Sequence, residues 1–135
     1  MAKTTAELKD AFRDGAYEEL LKDSYVDKNM LEYQKERYIK ALEAFEALYG
    51  EKEAEIYSAP GRSEVGGNHT DHQYGKVLAA SINLDAIAVV AKTEDEQIRI
   101  KSEGYEPFEV NLNDLNLSEE EKGTSKALTK GVASK

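Results

Sequence analysis

The 135-residue sequence contains no cysteine, which excludes disulfide bonds, thiolate metal sites and cysteine nucleophiles. It is also poor in basic residues: 18 Lys and Arg against 27 Asp and Glu give a net charge of -9. Nucleic acids and anionic membrane surfaces are bound by clustered Lys and Arg, so we expect neither as a partner. No apolar run approaches the roughly 20 residues that span a bilayer, and the N-terminus lacks the apolar core of a signal peptide. We therefore expect a soluble, cytoplasmic protein.

Several catalytic patterns are missing as well. The sequence has no G-x-G-x-x-G, no G-x-x-x-x-G-K-[ST] and no G-x-S-x-G, so it shows no nucleotide-binding loop and no nucleophile elbow. The length suits one domain. The pattern of apolar residues changes from helical to strand-like near Gly50, which predicts one domain over residues 1–135, with a helical leader over about 1–50 and a sheet region over about 51–135.

The leader carries helix signals. Thr4 and Glu7 form a capping box, which predicts a helix over about residues 5–14, and a short turn over residues 16–22 follows. The clearest helix lies within Asp27–Gly50, where an N-cap aspartate and a terminal glycine enclose apolar residues at helical spacing.

The second region carries strand signals. A strand over residues 55–59 is predicted to stop at Pro60 and Gly61. Residues 77–91 are the most apolar part of the chain and predict a central strand. Residues 97–101 and 108–112 alternate between apolar and polar, which predicts two half-exposed strands of one antiparallel sheet. These patterns predict an α+β fold with a mixed or antiparallel sheet backed by helices.

The most informative segment is GRSEVGGNHTDH, residues 61–72. Its glycines let the backbone approach a ligand closely, and its side chains offer donors and acceptors suited to sugar hydroxyls. Arg62 beside a reacting oxygen would stabilise developing negative charge. The structural alternative is an arginine that pairs with Glu64 or caps a turn.

Asn68, His69 and Asp71 lie within four consecutive positions, so a tight turn could present all three to one ligand. A carboxylate accepts hydrogen bonds from two vicinal hydroxyls at once, which suits Asp71 to a sugar. The alternative is an Asx-turn in which Asn68 or Asp71 bonds its own backbone.

A metal site has to be considered because His69 and His72 flank Asp71. Three ligands packed this closely rarely reach tetrahedral geometry, and the sequence has no third histidine and no cysteine to complete the set. We therefore expect no metal site in this segment.

The same segment, preceded by Ser-Ala-Pro and followed by Gln-Tyr-Gly-Lys-Val-Leu, closely resembles the signature of galactokinases, which are sugar kinases of the GHMP superfamily. The family pattern is Gly-Arg, three or four variable residues, then Gly-Glu-His-Thr-Asp-Tyr. The chain keeps six of these residues in register: Gly61, Arg62, Gly67, His69, Thr70 and Asp71. It departs at Asn68, where glutamate is usual, and at His72, where tyrosine is usual.

The resemblance implies roles for four residues. Arg62 would lie near the anomeric oxygen that receives the phosphoryl group, Asn68 and His69 would hold the C6 hydroxyl, and Asp71 would bind the C3 and C4 hydroxyls of galactose. Because Asn68 lacks the charge of glutamate, sugar binding could weaken by about 1 kcal/mol.

The resemblance covers most of the chain and implies the N-terminal part of a galactokinase, with an incomplete GHMP-kinase fold. Such an enzyme phosphorylates the C1 hydroxyl of galactose with ATP and Mg²⁺. The family's phosphate loop and catalytic aspartate have no counterpart here, so the chain alone is expected to be inactive. The alternative is a non-catalytic galactose-binding or regulatory module. An interrupted domain leaves apolar surface uncovered, which makes self-association plausible.

Overall fold

The structure is a computed structural model that describes residues 3–67 and 74–135, apart from the side chain of Lys28. The chain forms two compact units, one up to Lys92 and one over Thr93–Lys135, and each is described by itself. The predicted single domain with a helical leader stays a prediction.

Three helices open the first unit. Helix α1 (Thr5–Arg13) begins with the predicted capping box, in which the Thr4 hydroxyl accepts from the Glu7 amide and the Glu7 carboxylate accepts from the Thr4 amide. Helix α2 (Glu18–Tyr25) lies where only a short turn was predicted. A 3-10 turn then leads into helix α3 (Leu31–Tyr49). Asp27, the predicted N-cap of α3, accepts a hydrogen bond from the amide of Asn29 in that turn. Asp27 therefore caps the turn and not α3.

A three-stranded antiparallel sheet completes this unit, with strands β1 (Lys3–Thr4), β2 (Glu53–Gly66) and β3 (Leu78–Val90) in that order. Two expectations were wrong. Strand β2 runs through Pro60, because β1 reaches only the start of β2 and leaves that edge without ladder bonds for proline to break. Strand β3 lies at the edge and not at the centre of the sheet that the described residues form.

The core of this unit lies between the helices and one face of the sheet. Leu42 of α3 is fully buried at its centre. The ring of Phe12 packs 5.1 Å from that of Tyr38, which joins α1 to α3. The other buried members of the core come from α1, α2 and β2: Leu8, Leu21, Tyr25 and Ala54.

The second unit contains the antiparallel pair β4 (Gln97–Ile100) and β5 (Phe108–Asn111), as the alternating pattern predicted. A 3-10 turn over Glu119–Glu121 precedes helix α4 (Ser125–Ala133). Helices and antiparallel sheets together confirm the α+β class. None of the helices in the described ranges is long and apolar enough to cross a membrane.

Candidate functional site

The segment singled out by the sequence joins strands β2 and β3. Arg62 lies on β2, is exposed, and pairs across the ladder with Ser81. Asn68, His69 and Asp71, like His72, lie outside the described residues. The site roles predicted for Asn68, His69 and Asp71, and the role predicted for Arg62, therefore stay predictions.

Arg62 has no ion-pair partner among residues 3–67 and 74–135, although Glu64 lies only two positions away. This result argues against the alternative in which Arg62 pairs with Glu64. Its guanidinium is exposed on the strand that leads to the signature loop.

The backbone approaches itself closely where the connection between β2 and β3 begins and ends. Gly66 pairs with Leu78, and the adjacent Gly67 has a positive φ of 89°. A Cβ at Gly67 would lie 2.3 Å from the carbonyl oxygen of Lys76 and 2.9 Å from the Cα of Val77. Only glycine fits at this point, because any side chain would collide with the returning backbone.

An irregularity in the β2–β3 ladder lies directly before Arg62. Pro60 pairs with Asp85 and Arg62 pairs with Ser81, so the ladder advances two residues on β2 and four on β3. Gly61 sits inside this bulge, and a Cβ there would lie 3.2 Å from both the Ile82 side chain and the carbonyl oxygen of Leu84. Bulges re-aim the side chains that follow them, which makes this one relevant to the direction of Arg62.

Asp85, on β3 beside the bulge, is the centre of a hydrogen-bond network that the sequence did not reveal. Its carboxylate accepts from the hydroxyl of Tyr25 at 2.7 Å and from the hydroxyl of Ser58 at 2.6 Å. The guanidinium of Arg37 donates to the same carboxylate and, at 2.7 Å, to the Asp85 carbonyl oxygen. The hydroxyl of Tyr25 also lies 2.9 Å from that of Tyr38. Because the Tyr25 proton is directed to Asp85, Tyr38 is the donor of this last bond.

The network sets the ionisation of its members. Burial alone would raise the pKa of Asp85, but the hydrogen bonds from Ser58, Tyr25 and Arg37 outweigh it and hold the pKa below its ordinary value. Burial, followed by the bonds to Tyr38 and Asp85, raises the pKa of Tyr25. Burial acts to lower the pKa of Arg37, and its bond to Asp85 raises it overall. Asp85 is therefore a carboxylate and Arg37 a cation at neutral pH.

A cavity of about 290 Å³ adjoins this network, near the lower end of the size range of small-molecule pockets. Helices α2 and α3, the turn between them and strand β3 line it, through Tyr25, Met30, Tyr33, Gln34, Arg37, Asn83, Leu84 and Asp85. Arg37 and Asp85, the charged residues that line the cavity, form an ion pair with each other. The cavity therefore offers no unpaired charge to a ligand.

No cluster of three or more His, Cys, Asp or Glu side chains that could hold a metal ion occurs in the described part of the chain. The two histidines, His69 and His72, fall outside it. The structure therefore assigns no described residue to a metal.

Comparison with known proteins identifies the segment. The family model described as the galactokinase galactose-binding signature matches residues 43–92. Residues 43–92 are therefore similar to the galactose-binding signature of galactokinases. The match begins within α3, includes the whole β2–β3 pair, and ends at the residue that closes the first compact unit.

Curated relatives agree with this assignment. The chain is 37% identical to a galactokinase of Enterococcus faecalis over 78 residues, which is 56% of the chain and 20% of the relative. It is 32% identical to a galactokinase of Lactobacillus helveticus over 82 residues, 59% of the chain and 21% of the relative. The match to a galactokinase of Streptococcus suis, 32% over 93 residues, includes 67% of the chain and 23% of the relative. The chain thus spans about a fifth of the length of the galactokinases it matches. No solved structure was found to match it.

Proposed function

We propose that this chain is the sugar-binding part of a galactokinase, an enzyme that transfers the γ-phosphoryl group of ATP to the C1 hydroxyl of galactose. The observation that carries the proposal is the position of the galactose-binding signature. It coincides with the β2–β3 pair, whose base closes at Gly67 and whose β2 strand presents Arg62 without an ion-pair partner in the described residues. A reducing cytoplasm, where we propose it acts, suits a chain without cysteine.

Four residues would hold the sugar. Asp71 would accept from the C3 and C4 hydroxyls and so read the configuration that distinguishes galactose from glucose. His69 and Asn68 would bond the C6 hydroxyl, with the amide of Asn68 in place of the carboxylate that is usual in the family. A neutral acceptor bonds a hydroxyl more weakly than a charged one, so we expect the C6 contact to contribute less than the Asp71 contact.

Arg62 would act on the reacting oxygen. As the C1 hydroxyl loses its proton to a base, negative charge grows on its oxygen, and a nearby guanidinium would stabilise that charge until the oxygen bonds to the γ-phosphorus and ADP leaves. ATP, when bound, supplies the phosphoryl group. The described residues do not fit a role in binding ATP or Mg²⁺, since they include no acidic cluster for a metal and no phosphate loop. We therefore propose that these groups bind outside this chain and that the chain alone is inactive.

Galactose titration of the chain tests the proposal, by calorimetry or by two-dimensional NMR. We expect saturable binding of galactose in preference to glucose, which differs only at C4. Asp71→Ala should abolish it, because the variant loses both charge-assisted bonds to the sugar. Asp95→Asn is the matched control, since it removes an exposed carboxylate in the second unit. Equal affinity for the two sugars, or unchanged affinity in Asp71→Ala, would contradict the proposed role.

The alternative is a non-catalytic module that binds galactose. The reading frame that follows Lys135 separates the two: a phosphate loop encoded there supports the enzyme, and a stop codon supports the module. In an enzyme so encoded, Arg62→Ala should reduce kcat far more than it weakens galactose binding. Equal kcat in that variant would remove Arg62 from the chemistry.

We also propose that the chain associates with a second copy of itself. Strand β3 is an edge strand in the described sheet, and its outward side chains Leu78, Leu84 and Val90 are 66%, 70% and 47% exposed. Tyr57 on β2 extends this surface, with 55% of its area exposed. Apolar edge strands of this kind pair readily with other chains.

A further inference from the structure

Asp85 is the one charged residue of strand β3, whose sequence is LAASINLDAIAVV. Its side chain is only 4% exposed, so the strand carries a nearly buried carboxylate among apolar neighbours. A buried charge is costly unless it is paired and hydrogen-bonded, and the three side chains that bond Asp85 provide this.

The partners of Asp85 come from three different elements. Tyr25 lies on α2, Arg37 on α3 and Ser58 on β2. These three donors occupy three of the roughly four acceptor positions of a carboxylate, so little capacity is left for a ligand. Asp85 therefore ties helices and strands together and does not bind substrate itself.

The set of bonds from Tyr25, Arg37 and Ser58 to Asp85 is called the Asp85 junction below, and it lies close to Arg62 along the strands. Asp85 pairs with Pro60, the last residue of β2 before the bulge, and Arg62 pairs with Ser81 just after it. Ser58, two residues before Pro60, is the only described residue of β2 that bonds the Asp85 side chain. Beyond Arg62, the β2 residues Ser63, Glu64 and Val65 are all exposed. In the described part of the chain, the Asp85 junction is thus the last place at which a β2 side chain bonds the core before the sugar loop, which is the connection of residues 67–77 between β2 and β3.

We infer that Asp85 is a positioning residue for galactose binding: through Ser58 it fixes the register of β2 against β3 at the bulge and thereby the direction in which Arg62 faces the sugar. This inference rests on the proposed function. A ladder that slips by one residue turns every side chain to the opposite face, so a fixed point beside the bulge determines where Arg62 points.

The experiment uses Ser58→Ala, because Asp85 variants leave Arg37 unpaired in the core and can fail to fold. Ser58→Ala removes one exposed hydrogen bond and keeps the Arg37–Asp85 ion pair. We expect the dissociation constant for galactose to rise about tenfold, as for loss of one hydrogen bond to a charged group. Amide exchange in residues 59–66 and 78–84 should become at least tenfold faster. Ser58→Thr, which keeps the hydroxyl and suits a strand, should restore both.

Tyr38→Phe is the matched control. It removes the bond from Tyr38 to Tyr25, which is more deeply buried but one step away from Asp85. It should lower the melting temperature while galactose affinity and exchange in the bulge stay unchanged. A purely structural role predicts instead that affinity falls in both variants in proportion to stability, which would overturn the inference.

Two further outcomes distinguish a failure of the proposed function from a failure of the positioning role. If the unaltered chain binds no galactose, the proposed function fails. The exchange rates then still decide whether Ser58 and Asp85 fix the bulge, and unchanged rates would overturn that part as well. If the chain binds galactose and Ser58→Ala binds it equally well, the positioning role is wrong and the proposed function stands.

Discussion

Among the described glycines, Gly67 leaves the least room for a side chain. Its replacement by alanine therefore tests how closely the two ends of the sugar loop approach each other. A Cβ would lie 2.3 Å from the Lys76 carbonyl oxygen, whereas real Cβ atoms essentially never come within 3.0 Å of such an atom. The two strands would have to separate by at least 0.7 Å at the base of the loop. The positive φ of 89° adds strain for any residue with a side chain.

The two contributions can be estimated separately. A left-handed backbone costs an alanine about 1–2 kcal/mol, and forcing extra atoms into a packed position costs about 1–3 kcal/mol. We therefore expect Gly67→Ala to destabilise the β2–β3 pair by about 2–5 kcal/mol. Gly50→Ala is the matched control in the same unit, since Gly50 has a φ of 76° but nothing within 4 Å of its Cβ position. It should show only the backbone cost.

Thermal or urea unfolding gives the global effect, and amide exchange in residues 64–67 and 76–80 gives the local one. Exchange should rise much more in Gly67→Ala than in Gly50→Ala, and galactose affinity should fall only in the former. If both variants behave alike in unfolding and in exchange, the strands do not meet as closely at Gly67 as the structure places them.

Two more predictions concern the surface of the first unit and the acid stability of the second. Self-association should appear in sedimentation velocity as a concentration-dependent shift, and Leu84→Lys should weaken it by placing charge on the β3 edge; a monomer at all concentrations contradicts it. Hydrogen bonds, first from Lys130, hold the pKa of Glu121 at about 2, below the ordinary 4.5. A lowered carboxyl pKa stabilises the folded state above the unfolded pKa, so the second unit should lose stability from about pH 4.5 towards pH 2. Glu121→Gln should reduce that acid-dependent loss, and an unchanged pH profile would contradict the role of Glu121.

The parts of the fold that local signals determine could be predicted from the sequence. The capping box at Thr4 is a contact between residues three apart, and Gly50 ends α3 with a positive φ that other residues avoid. Pro60 shows the limit of local rules: it was read as a strand stop, but its missing N–H does no harm where β2 has no neighbour on that side.

The candidate site likewise contains residues that local sequence patterns could predict and one residue, Asp85, that they could not. Arg62, Asn68, His69 and Asp71 could be predicted as a site from the sequence because they lie close together along the chain, and that prediction stays a prediction. Asp85 was missed because its partners Ser58, Arg37 and Tyr25 lie 27, 48 and 60 residues away, so no spacing pattern connects them. A signal did exist: a single aspartate in a long apolar run is costly to bury, and its presence indicates a partner elsewhere in the chain.

The presence of a buried charge at Asp85 needs an explanation, because an apolar residue could also fill this position. Replacing a buried ion pair by well-packed apolar side chains is often neutral or stabilising, so stability alone does not explain Asp85 and Arg37. Apolar side chains, however, pack almost equally well in neighbouring registers, whereas a carboxylate with three fixed donors has one acceptable position. Strand β3 is otherwise uniform enough to slip, and its register with β2 sets the bulge before Arg62. The buried charge is therefore better explained by the placement of the sugar loop than by the stability of the fold.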